Sequence, residues 1–84
     1  MHRVVLYTRS GCHLCDLARE AVDAVGATDP FELTIVDIDE RDELIRDYGY
    51  RIPVVEVDGQ DAFEIEVDRA ALSAMVRAPA PSVG

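Results

Sequence analysis

Thr8-Arg9-Ser10-Gly11-Cys12-His13-Leu14-Cys15 carries both cysteines of this 84-residue chain, with two residues between them. Before it lies Val4-Val5-Leu6-Tyr7, β-branched and aromatic and stopped by Ser10-Gly11, which is the composition of a short buried strand. After Cys12 the apolar residues fall at Leu14, Leu17, Ala18, Ala21, Val22 and Val25, the spacing of one helix face. The cysteines therefore stand where a strand ends and a helix begins. A thiol attacks a disulfide as thiolate, and an unperturbed cysteine, with a pKa of about 8.5, is mostly protonated at neutral pH. The first N–H groups of a helix have no intrahelical partner, and the aligned peptide dipoles favour negative charge there. Cys12, at the helix mouth, gains most from this. Cys15 follows nearly one turn round and roughly 4.5 Å along the axis, within bridging reach but turned toward the body. Cys12 is thus expected to attack, and Cys15 to resolve the mixed disulfide. His13 is a candidate for tuning the couple, because an imidazolium beside a thiolate stabilises it. Gly11 belongs to the exposed turn that presents Cys12.

Three other uses of the pair weigh less. Tetrahedral zinc takes four ligands, and the remaining soft ones, His2 and His13, lie at the start of the chain and inside the motif itself. A purely structural disulfide closing so short a ring gains little loop entropy. Two inert core cysteines fit poorly with Gly11 before Cys12 and polar His13 after it.

Composition narrows the partners. One domain of this length buries perhaps 60–65% of its unfolded surface, enough for one modest core. The net charge is −9, and every basic residue is arginine. Phosphate binding needs a basic face, so neither nucleic acid nor an anionic membrane is an expected partner. No apolar run approaches the ~20 residues of a spanning helix, and Met1 to Leu6 is too short for a signal sequence and is needed as a strand. A cytoplasmic monomer is expected, in which a cysteine pair is more often catalytic than structural.

Along the chain, a helix is expected from Cys12 or His13 to about Gly26, with Gly26 as its C-cap, and a loop over Ala27-Thr28-Asp29-Pro30. Phe31 to Ile38 alternates Phe31, Leu33 and Ile35 against Glu32 and Thr34 and then adds Val36 and Ile38, which suggests a strand near the sheet centre. Asp39 can cap a helix over Glu40 to Tyr48 that buries Leu44, Ile45 and Tyr48, with Gly49 ending it. Its acidic start is a solvated turn rather than a metal site. Pro53 to Val57 is a strand, Asp58-Gly59 a strong hairpin signal, and Ala62 to Glu66 the returning strand. Asp68 caps a last helix to about Arg77, with Leu72, Met75 and Val76 inward. Residues 1–78 form the domain, and 79–84, without periodicity, a frayed tail. The order β-α-β-α-β-β-α, with a right-handed β-α-β crossover and a terminal hairpin, makes an α/β fold. It predicts a mixed four-stranded sheet flanked by three helices.

With the cysteine motif, Val36-Asp37-Ile38-Asp39 and Ile52-Pro53-Val54 in view, residues 3 to about 77 resemble a glutaredoxin-like protein of the thioredoxin fold. The resemblance implies a small thiol–disulfide oxidoreductase, with a redox-active Cys12–Cys15 disulfide and no other cofactor. It acts on disulfide-bearing proteins or low-molecular-weight thiols and is recharged by a protein reductase or a thiol. It also implies a cis Pro53 facing the cysteines, an Ile52 backbone that pairs with a substrate strand, and glutathione contacts from Arg9 and Asp68. Two departures bear on glutathione. Leu14 stands where tyrosine is frequent, and Phe63-Glu64-Ile65-Glu66-Val67-Asp68 lacks the family's glycine pair while adding the charges of Glu64 and Glu66. Weak use of glutathione is therefore expected, and better turnover through a protein reductase. Tyr48-Gly49-Tyr50 before Ile52-Pro53 is similar to reductase-coupled thioredoxins. A non-catalytic peptide-binding module of the same fold, using the Ile52-Pro53 edge, is the rival from another class, and the intact cysteine pair speaks against it.

Overall fold

The computed structural model describes residues 1–79. Its elements are β1 (Arg3–Thr8), α1 (His13–Thr28), β2 (Glu32–Asp37), a 3-10 turn (Ile38–Glu40), α2 (Asp42–Tyr48), β3 (Val54–Val57), β4 (Gln60–Glu64) and α3 (Arg69–Arg77). The sheet order is β2-β1-β3-β4, with β1 parallel to β2 and antiparallel to β3, and β3 antiparallel to β4. This is the expected mixed four-stranded sheet.

Alternation along the strands sorts the two faces. Val4 and Leu6 of β1 and Val55 of β3 are fully buried against Val22 of α1 and Leu72 of α3. Full burial of each such side chain contributes about 1.5–3 kcal/mol. The other face holds Tyr7, whose ring stacks on Tyr48 of α2 with centroids 4.1 Å apart and planes 12° from parallel. Both neighbours of β1 are strands, so its carboxyl end opens into the middle of the molecule, directly before the cysteine motif.

Several boundaries depart from the sequence reading. Helix α1 runs through Gly26 to Thr28 and is capped by Asp29, so Gly26 is not its C-cap. Space is tight there: a Cβ on Gly26 would stand 3.2 Å from the Phe31 ring, which would have to give by a few tenths of an ångström. Strand β2 is an edge strand, not a central one, and its Ile35 is exposed. The buried residue of that run is Ile38, which has left the strand for the 3-10 turn. Asp39 caps nothing. Asp37 caps the 3-10 turn, and α2 begins after Arg41 without a side-chain cap. In α2 Leu44 is buried, whereas Ile45 and Tyr48 are half-buried. Met75 of α3 is exposed, while Leu72 and Val76 face inward.

The hairpin turns at Asp58 (φ 51°) and Gly59 (φ 85°), the two left-handed residues of a type I′ turn. Strand β4 therefore begins at Gln60, two residues before the expected start, and ends at Glu64. Ile65 stops it by adopting φ 69°, a left-handed conformation that is strained for a β-branched residue. Gly49 closes α2 as expected, and a Cβ there would meet the Ile45 carbonyl oxygen at 2.5 Å. The expected tail beyond Pro79 lies outside the described residues.

Candidate active site

Gly11 presents Cys12 by taking φ +78°, with open space where a Cβ would project. Cys12 is the N-cap of α1 in extended backbone conformation, and its Sγ accepts from the Cys15 N–H at 3.1 Å. Cys12 Sγ thus occupies the place where a capping oxygen usually meets the orphan amides of a helix. A thiolate there receives both a direct N–H and the positive end of the dipole. Cys12 and Cys15 are paired as a disulfide, with Cα atoms 5.2 Å apart. Cys12 is half-buried and Cys15 is 2% exposed. The more exposed cysteine is the one at the helix mouth. His13 and Leu14, between them, are exposed.

The remaining expected site residues divide. The Ile52–Pro53 peptide bond is cis and Pro53 is buried. The Ile52 N–H donates to Tyr48 O at 3.1 Å, and Pro53 O accepts from Ile65 N at 2.8 Å. Asp68 is engaged as the N-cap of α3, accepting from Ala71 N at 3.1 Å. The Arg9 guanidinium is held by Asp39, with Nε at 2.9 Å and Nη2 at 2.7 Å from Oδ1. That hydrogen bond, more than the charge alone, raises the affinity of Arg9 for its proton and pulls the Asp39 carboxyl below the usual carboxylate range.

Glu64 does not stand free beside the cysteines. Arg51 donates to it at 2.8 Å and to Asp61 at 2.5 Å, and the same guanidinium lies 5.3 Å from the centre of the Tyr48 ring. This Arg51 cluster escaped the sequence reading. Nothing local marks it, because the partners belong to the chain after α2 and to the far strand of a hairpin. Beneath it, burial and then the neighbouring Glu56 and Tyr48 side chains hold the Tyr7 hydroxyl protonated far above its ordinary range. Beside the redox pair, a groove of about 270 Å³ runs between α1 and the β4–α3 connection, lined in part by Leu14, Leu17, Ile65 and Val67. Leu14, Leu17 and Ile65 are each 40% exposed or more.

A family model, the glutaredoxin-like domain (DUF836), matches residues 3–77. Among solved structures, protein XcR50 from X. campestris is similar at 32% identity, with 92% of this chain and 99% of that one covered and a TM-score of 0.74. Protein Ne2328 from Nitrosomonas europaea is similar at 28% identity, covering 87% and 88%, also with a TM-score of 0.74. A thioredoxin variant from Halobacterium salinarum shares the fold at 20% identity, covering 99% and 78%, with a TM-score of 0.68. No curated protein matches the chain by sequence.

Proposed function

The chain belongs to the glutaredoxin-like domain family, and on that footing we propose that it reduces disulfides through the Cys12–Cys15 couple. One observation carries the reading. The sulfur of the half-buried Cys12 residue caps α1, within disulfide reach of a buried Cys15 whose own N–H points at it. In the forward direction the Cys12 thiolate attacks one sulfur of a substrate disulfide. The S–S bond breaks, and the departing thiolate takes a proton from solvent. Cys15, deprotonated, then attacks Cys12 Sγ, releases the second substrate thiol and leaves the Cys12–Cys15 disulfide. Two electrons have passed to the substrate. A reductant outside the chain must return them.

The Ile52 carbonyl is the backbone group in this reading that meets an extended substrate, since its N–H already serves Tyr48. Exposed Leu14, Leu17 and Ile65 beside the couple suit a protein partner better than a small polar thiol, which supports recharging by a protein reductase.

The test has two parts. Reduced protein alkylated at graded pH should lose Cys12 first, with an apparent pKa below the free value of about 8.5. It should also turn over a generic disulfide when supplied with a thioredoxin reductase system. Faster alkylation of Cys15 would reverse the assigned roles, and absence of turnover with every reductant would leave only the binding module.

A further inference from the structure

Arg9 is the sole basic side chain between Thr8 and Cys15 other than the imidazole of His13. It stands three residues before the attacking sulfur, and its carbonyl accepts from Cys12 N at 3.4 Å. Its guanidinium is already bound to a carboxylate, because two of its nitrogens donate to Asp39 Oδ1. Asp39 is held in turn, since its N–H donates to Asp37 Oδ1 at 2.9 Å. Asp37 sits opposite Thr8 in the parallel pairing of β1 and β2. The end of the sheet therefore fixes this carboxylate in front of Arg9, with the Asp37 charge behind it and Glu40 next in sequence.

We propose that Asp39 is a specificity-determining residue of the redox site: by occupying Arg9 it disfavours thiols and disulfides that carry carboxylates and leaves neutral ones unaffected. This inference rests on the redox reading above and adds the substrate class. Its physical basis is competition. A tethered carboxylate has an effective concentration of millimolar order at its partner, and a free anion must displace it. Were Arg9 free, its planar fork would suit an incoming carboxylate. With Asp37 and Asp39 beside it, one positive charge faces two negative ones, and the field met by an approaching anion is repulsive at short range. Screening beyond about 8 Å at physiological salt confines the effect to groups that come close to Arg9.

The experiment compares an anionic with a neutral reagent at the same sulfur. In a Cys15→Ser background, Cys12 is alkylated with iodoacetate and with iodoacetamide, and the ratio of the two rate constants is taken. Asp39→Asn should raise that ratio about 3–10-fold, the scale of one partly screened charge. Arg9→Gln combined with Asp39→Asn should abolish the rise, and high salt should shrink it. An unchanged ratio in Asp39→Asn, or a rise that persists without Arg9, overturns the proposal. This readout needs no turnover, so it can fail while the redox reading stands, and the reverse. With intact Cys15, Asp39→Asn should likewise raise kcat/KM for glutathione disulfide relative to bis(2-hydroxyethyl) disulfide by a similar factor. Equal change for both disulfides counts against the assignment.

Discussion

At its carboxyl end β1 runs into the cysteine turn, where Gly11, His13 and Leu14 are exposed and the ion pair beside them, Arg9–Asp39, lies at the surface. At its amino end, six residues and ~20 Å away, the chain is tied down. His2 is 6% exposed there, and its Nδ1 meets Asp58 Oδ2 while its Nε2 lies 2.5 Å from Ala78 O. Asp58 Oδ1 also accepts from Arg3 N at 2.9 Å. Asp29, at the end of α1, accepts from Ser73 Oγ at 2.7 Å and Arg77 Nε at 2.9 Å, both on α3. A carboxylate and a carbonyl on opposite sides of one imidazole each favour a proton on the ring nitrogen they face, so the fold shifts His2 toward its imidazolium form. One end of the strand is built to be reached and the other to hold three remote segments together. On the proposed function, chemistry and stability are separated along a single strand, and altering one end is expected to have little effect on the other.

The largest effect expected is at the reactive end. Cys12→Ser should lower disulfide turnover by at least 100-fold while leaving the thermal midpoint of the reduced protein nearly unchanged. His2→Gln should do the opposite, lowering Tm by roughly 5–10 °C with kcat/KM held within twofold. Parallel melting curves and turnover assays on both variants decide the matter. A His2 variant that loses turnover without losing Tm would break the separation.

The same clasp predicts a pH dependence. The Ala78 carbonyl first, and the Asp58 carboxylate second, raise the His2 pKa above its usual 6.5. The stability it contributes is present in full below 6.5 and is lost as pH rises through the higher folded value. Asp58 is shifted downward, by the Arg3 N–H first and His2 second, from 3.8. Its contribution is present above 3.8 and is lost as pH falls through the lower folded value. The Tm difference between wild type and His2→Gln should therefore be widest between about pH 4 and 6.5 and should narrow above that range. A difference that grows toward alkaline pH would mean that His2 is neutral in the folded protein.

The smallest effect separates capping from substrate contact at Asp68. Asp68→Ala should cost about 0.5–1 kcal/mol through loss of the α3 N-cap, read by urea denaturation. Turnover of a neutral disulfide should stay within twofold. Asp68→Ser, which keeps a capping oxygen, should recover the stability.

Much of this division was legible in the chain itself, and the reason is sequence distance. The strand–Cys-x-x-Cys–helix junction, the Asp58-Gly59 turn and the Asp68 cap are each settled by residues within a few positions of one another. Apolar periodicity and turn chemistry report such relations directly. The second strand has the pattern of a central strand but lies at the edge, because Ile38, the buried residue of the run, has left the strand for the 3-10 turn. Met75 falls on the apolar face of α3 yet is exposed, because helical periodicity gives a face and not how far the neighbouring sheet extends beneath it.

What the amino-acid sequence determined by itself was the element order, the position of the Cys12–Cys15 pair at a helix mouth, and the excess of carboxylates over arginines. Arg19 meets Asp23 one helical turn on, a pairing local in sequence, but which carboxylate the arginines around the site meet was decided only in three dimensions. Arg9 meets Asp39 thirty residues away, Arg51 meets Asp61 and Glu64 across a hairpin, and His2 joins Asp58 to Ala78 at separations of 56 and 76 residues. With 17 acidic side chains and eight arginines in the chain, pairings are chemically interchangeable in the sequence. The backbone path of the sheet, by bringing particular strand ends together, is what chooses among them.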